Sequence, residues 1–287
     1  MQEYVQQMQE STQTTVPEGF GSRGTVRAVD VAHSTPARLA ANGLRYASFG
    51  DTGLDPADLE RMVLAVPASI ARALDRKTWY FVPLALTEGR TEPGIHRTGS
   101  EETMIAPAYT VDLAEFAICH RNVDLPSDGA QLATEGVFIS TRLLSDRFAL
   151  AFEFFINAGH AFVDHAGVPA AFSELVWNQA LADIRGETSQ DAWECRAAAL
   201  SIAAGSATEN KPRVDEKAKL DYVEAAFSDA VAIYLLSLAL DFDYSELRER
   251  EYPLLAPSAL AERLRLTAKL FPPAAPYEFS IRYRRRA

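Results

Sequence analysis

Between Ser145 and Gly167 the apolar residues recur with the period of a helix. At about 100° per residue, Phe148, Phe152, Phe155, Ile156, Gly159, Phe162, Val163 and Ala166 fall within one arc of about 120°. Ser145 is placed to cap the first turn. Gly167 is placed to stop the last turn in a left-handed conformation, so the spacing predicts a helix over 145–167. A second stripe on this helix is polar. Glu153, Asn157, His160 and Asp164, spaced four, three and four, lie within about 60° of one another. An acid, an amide, an imidazole and a second acid therefore line one side of a mostly apolar helix.

Before this helix the pattern is mixed. Residues 1–22 are polar and Gln-rich and read as a disordered tail. Short strands are expected at Thr25–Val31 and Arg45–Phe49, with a short helix at Pro36–Asn42 between them. Asp55-Pro56 is a strong helix start, and Pro67 should kink or split a helix reaching Asp75. Thr78–Leu86 is strand-like, with Pro83 favouring an edge or a bulge. Residues 88–103 read as loop, Ala108–Val111 and Glu115–His120 as strands, 124–129 as a turn, and Glu135–Thr141 as a last strand of the sheet. Beyond residue 141 the chain turns helical. Helices are expected at 145–167, Ala170–Arg185, Gln190–Ala204, Val214–Leu240 and Ser258–Leu270, with a final strand at Tyr277–Tyr283. The fold class is α+β: a mixed sheet lobe from 23 to about 141, a helical lobe over about 142–271, and a C-terminal strand and tail over 272–287.

Composition narrows the partners. A formal net charge of −11 over 287 residues argues against nucleic acid, whose phosphates need clustered Lys and Arg. The one basic cluster is terminal: Arg282, Arg284, Arg285 and Arg286 around Tyr283. Two cysteines, Cys119 and Cys195, make neither a disulfide framework nor a Cys-x-x-Cys metal motif, which fits a reducing compartment. Residues 1–19 lack the basic start and apolar run of a secretory signal, and no stretch of about 18 apolar residues runs unbroken, so a cytoplasmic chain without a membrane span is expected.

The segment Gly159-His160-Ala161-Phe162-Val163-Asp164-His165-Ala166-Gly167 resembles the catalytic domain of anthrax toxin lethal factor and its relatives, zinc metallopeptidases of the zincin type. That family carries His-Glu-Phe-Gly-His-Ala on one helix, where this chain has Ile156-Asn157-Ala158-Gly159-His160-Ala161. On a second helix the family carries Glu-Phe-Phe-Ala-Glu-Ala-Phe, which Ala225-Ala226-Phe227-Ser228-Asp229-Ala230-Val231 resembles. The resemblance covers roughly residues 60–270 and implies a zincin-like fold. Residue by residue, the first zinc histidine falls on Ile156, the catalytic glutamate on Asn157, the second histidine on His160, the ligating glutamate on Ala225 and the second acid of that helix on Asp229. One ligand of three survives and the general base is absent. An aliphatic side chain cannot ligate, and an amide has no useful basicity near neutral pH. No metal or other cofactor is therefore expected. The resemblance also implies that the strand ending at Cys119-His120 borders the old cleft.

The candidate catalytic residues are His160, Glu153, Asp164 and Asp229, with Asn157, Tyr222 and His120 as candidates for binding substrate. Tyr222, Ala225, Asp229 and Ile233 share one helix face, so Tyr222 and Asp229 can look toward the polar stripe together. His165 lies about 140° from His160 on the helix and reads as a surface residue. Cys119 beside His120 is no dyad signal, because neighbours on a strand point to opposite faces. Three readings follow. The first is a repurposed enzyme performing metal-independent proton transfer on a small molecule or modified peptide in the former peptidase cleft. The second is a pseudopeptidase that binds a peptide as a regulatory module. The third is a metallopeptidase with non-standard ligands.

Overall fold

A computed structural model describes residues 24–88, 102–125, 135–143, 146–200, 214–247 and 252–282. The expected tail over 1–22, most of the turn over 124–129, and Ser145 lie outside these residues. The protein is mixed α+β and divides into two compact units, Met1–Phe154 and Phe155–Ala287.

The first unit holds two sheets. Its strands are β1 (Val26–Arg27), β2 (Arg38–Leu39), β3 (Arg45–Ser48), β4 (Lys77–Val82), β5 (Leu84–Glu88), β6 (Glu102–Ala106), β7 (Ala117–Ile118), β8 (His120–Asp124) and β9 (Glu135–Ser140). The five-stranded sheet has the order β2-β3-β4-β9-β8, and the four-stranded sheet the order β1-β6-β5-β7. In the larger sheet β3, β4 and β9 are parallel, while β2 and β8 run antiparallel at the two edges. Its central strands are buried on both faces, as parallel strands require. Tyr80 and Phe138 stack on one face at 4.7 Å within a cluster that includes Val31 and Ile105. On the other face Trp79 meets Phe154 edge-on at 5.1 Å.

Two breaks pass the chain from one sheet to the other. Pro83, which has no N–H for a ladder, separates β4 from β5, and Cys119 separates β7 from β8. Ser140 joins both breaks: its N–H donates to the Cys119 carbonyl at 2.8 Å and its hydroxyl to the Pro83 carbonyl at 3.2 Å. The expected single strands Thr78–Leu86 and Glu115–His120 are thus each two shorter pieces or less.

The helices of this unit are α1 (Ala28–Ser34), α2 (Pro56–Leu64), α3 (Ala68–Ala73) and α4 (Val111–Ala114). Asp55 caps α2 and Pro67 separates it from α3, as the sequence predicts. Other expectations need correction. Most of Thr25–Val31 is helix rather than strand, because Ala28, Val31 and Ala32 recur at helical spacing and are buried together. The helix expected at 36–42 is replaced by β2, which pairs with β3. No strand forms at 108–111, where an irregular stretch leads into α4, and 102–106 is a strand rather than loop.

Helix α5 (Arg147–Ala166) runs through the division between the units. Asp146 caps it, accepting from the N–H groups of Phe148 and Ala149 at 2.9 and 3.1 Å. Gly167 ends it at φ +69°, where a side chain would be strained. The second unit adds α6 (Ala170–Leu181), α7 (Gln190–Ala199), α8 (Glu216–Ala239) and α9 (Pro257–Leu270). Helix α8 is its axis, buried nearly all round from Tyr222 to Leu236. Among the described helices α8 alone is long and apolar enough to cross a membrane, and 78% of its most apolar window is buried inside the structure, the composition of a central core helix. Pro257 opens α9, so Ala256 rather than Ser258 stands at its cap. Residues 277–282 form no strand; Phe279 instead packs edge-on against Tyr234 at 5.4 Å.

Helices α5 and α8 touch backbone to backbone. A Cβ on Gly159 would lie 2.7 Å from the Ser228 carbonyl oxygen, closer than carbon and oxygen approach, so the contact exists only because residue 159 is glycine. This crossing positions the residues that follow on each helix, His160 and Asp229.

Candidate functional site

In the first unit the structure joins two of the sequence candidates. Glu153 on α5 is buried, and its Oε1 lies 2.5 Å from Nδ1 of His120, the first residue of edge strand β8. The His120 side chain is 43% exposed and that of Glu153 only 4%. A carboxylate can only accept, so Nδ1 carries the proton and donates it. The other ring nitrogen, Nε2, is then the basic one. This is the arrangement in which a buried acid fixes the tautomer and orientation of an imidazole.

Cys119 precedes His120 between β7 and β8, and its carbonyl accepts from the Ser140 N–H. The charge of Glu153 acts on the Cys119 sulfur as well as meeting His120. Burial pushes the Cys119 thiol above its ordinary value and the Glu153 charge adds to the rise, while Arg142 pulls it down. The thiol rests protonated, which suits packing rather than nucleophilic attack. Arg142, in the short 3-10 turn Thr141–Leu143, donates Nη1 to the Ala117 and Ala114 carbonyls and Nη2 to the Cys119 sulfur.

In the second unit Asp229 on α8 is buried and accepts from the Thr188 hydroxyl at 2.7 Å. Burial raises its proton affinity. Hydrogen bonds from Ser189 and Thr188 oppose the rise, followed by the charges of His160 and Arg263. Asp229 and His160 are thus brought within electrostatic reach by the crossing at Gly159. His160 is exposed, Asp164 is exposed and shares no hydrogen bond with it among the described residues, and Asn157 is half-buried.

Tyr222, expected beside Asp229 as a binding residue, is fully buried in a different cluster. Its hydroxyl donates to Glu187 Oε1 at 2.6 Å and accepts from Arg263 Nη2 at 3.2 Å. Glu187 also meets Arg263 Nη1 at 2.9 Å and Arg196 Nη1 at 3.2 Å, and Arg263 Nε donates to Gln179 at 2.8 Å. Glu187 and Arg263 are both 0% exposed. Burial works against the Arg263 charge, but Glu187 and Tyr222 outweigh it, so the guanidinium holds its proton more firmly than usual. The sequence reading missed this cluster. One signal was available: on α9 Arg263 shares the apolar stripe with Ala259, Leu260, Leu264 and Thr267, an improbable place for an unpaired charge.

The zinc centre implied by the family resemblance does not fit these residues. Ile156 offers only an aliphatic side chain and Ala225 a methyl group where two of the three ligands would be needed. Among the described residues no group of three or more His, Cys, Asp and Glu side chains is placed to hold a metal ion. Comparisons with protein-family models, curated proteins and solved structures found no match to this chain.

Proposed function

We propose that this chain is a zincin-like protein whose peptidase centre has given way to metal-independent acid–base chemistry on a small molecule or modified peptide. His120 exchanges the proton through Nε2 and Glu153 holds the ring. The observation that carries this reading is the contact of a buried carboxylate with Nδ1 of a part-exposed imidazole, 2.5 Å long. Support for the zincin-like fold comes from a mixed sheet with an antiparallel edge strand, followed by a helix carrying Gly159-His160 against which the Asp229 helix packs. A reducing, cytoplasmic setting fits two cysteines that stand free.

The test incubates the full chain with cell extracts of small molecules and peptides and follows each species by mass spectrometry, with and without a chelator. Wild-type protein should consume at least one species at the same rate in both conditions. His120→Gln should slow that consumption by about 100-fold or more, the usual contribution of a positioned acid–base group. Turnover that survives His120→Gln, or that stops with the chelator, would overturn the proposal.

A binding module is the second reading, and β8 favours it. Cys119 and Ser140 form a hydrogen-bonded pair, so by the alternation of an antiparallel ladder His120, Asn122 and Asp124 turn their backbone groups away from β9. No described strand pairs with that side. An extended peptide that binds there, survives His120→Gln and is never turned over would replace the first reading by the second.

A further inference from the structure

Arg142 meets Cys119, the residue before His120, with part of its donor set unspent. A guanidinium has five N–H groups. Both on Nη1 go to backbone carbonyls, Ala117 and Ala114, and one on Nη2 goes to the Cys119 sulfur at 3.5 Å. The Nε–H and the second Nη2–H have no partner among the described residues, and no described carboxylate lies within ion-pair distance. Nε and Nη2 lie on the same edge of the guanidinium, the side that grips a carboxylate with two parallel hydrogen bonds. The side chain is half-buried, so its charge is less screened than on an open surface. It reaches the proton-transfer group through the chain: Nη2 meets the sulfur of Cys119, the residue before His120, and Glu153 holds His120.

We propose that Arg142 is an anion subsite beside His120, taking the carboxylate of a substrate or ligand side-on through Nε–H and Nη2–H. The inference rests on the acid–base reading of His120 and adds a substrate class to it: a carboxylic acid whose remaining atoms lie against the imidazole. A monoanion fits better than a phosphate dianion, because Glu153 stands close by and the chain carries a net charge of −11. The plain structural role of Arg142, holding the Ala114 carbonyl at the end of α4 and the Ala117 carbonyl in β7, uses Nη1 and leaves Nε–H and one Nη2–H for the ligand.

The test uses acetate as the probe and the full chain with its five histidines labelled in the ring with 13C and 15N. His120→Gln identifies the His120 signals by their loss. Acetate replaces chloride at constant ionic strength. Wild-type His120 signals should shift saturably. The apparent Kd should weaken about tenfold or more in Arg142→Lys, which keeps the charge but not the fork, and the saturable shift should vanish in Arg142→Met. Circular dichroism verifies that both variants fold, and the lysine variant carries the test if the methionine one does not. An unchanged titration in Arg142→Lys, or no saturable shift in wild type, overturns the subsite. The same spectra without acetate report the proton on Nδ1. If Glu153→Gln leaves the His120 signals unmoved, the acid–base pair fails separately from the anion subsite.

Discussion

Gly159 sets two known effects against each other, and the structure says which wins. Replacing a helical glycine by alanine ordinarily stabilises by about 1 kcal/mol, since alanine loses less backbone freedom on folding. Here the new Cβ would stand 2.7 Å from the Ser228 carbonyl oxygen, 3.4 Å from Ala232 N and 3.6 Å from Ala232 Cβ. The nearest atom is backbone, so no side-chain rotation relieves it. Helices α5 and α8 must separate by about half an ångström, and overpacking of that kind costs about 1–3 kcal/mol. Near this crossing lie the aromatic contacts of Phe227 with Phe162 and Phe172, at 6.3 and 4.6 Å, which would loosen with it. The net expectation for Gly159→Ala is a loss of about 1 kcal/mol. Gly159→Val, bulkier and a poorer helix former than alanine, should lose about 2 kcal/mol or more. Urea unfolding followed by tryptophan fluorescence suits the measurement, because Trp177 and Trp193 both lie in the second unit. A gain of about 1 kcal/mol for the alanine variant, the value of helix propensity alone, would refute the close crossing.

Two further outcomes follow from the buried charges. Arg263→Met should destabilise by about 3–5 kcal/mol, because it strips donors from buried Glu187 and Gln179. Adding Glu187→Gln should then cost less than the two single changes summed, as denaturant unfolding of the double variant would reveal; strict additivity would mean the two side chains do not interact. Asp229 gives a pH dependence. Its folded-state proton affinity is raised, chiefly by burial, so between the unfolded and folded pKa the native state binds more protons. Stability therefore falls as pH rises from the ordinary carboxylate range through the folded value. Asp229→Asn should flatten that fall, and an unaltered stability–pH profile in the variant would contradict it.

The features legible in the sequence were those whose cause is local. The helix over 145–167 declared itself by its period, its stop at Gly167 and a cap region displaced by one residue to Asp146. Asp55-Pro56 and Pro67 fixed α2 and its end, because capping and the missing proline N–H act within a turn. The helical character of the second unit followed from the same periodicity. Even in α5, however, the buried face was only partly readable. Phe148 and Phe152 are half-buried, while Ala149, Leu150, Phe154 and Ala158 are buried, because the helix packs on more than one side.

Only the tertiary structure decided which polar residues meet. Glu153 and His120 stand 33 positions apart, on a helix and an edge strand. The strand pattern also concealed a break at Cys119, because two short strands in different sheets read as one in sequence. Glu187, Tyr222 and Arg263 come from a loop and two helices, and burial alone reveals them as one cluster. Sequence periodicity reports the face on which a residue sits. It cannot report which face lies opposite, and a buried charge is stabilised by the group opposite it.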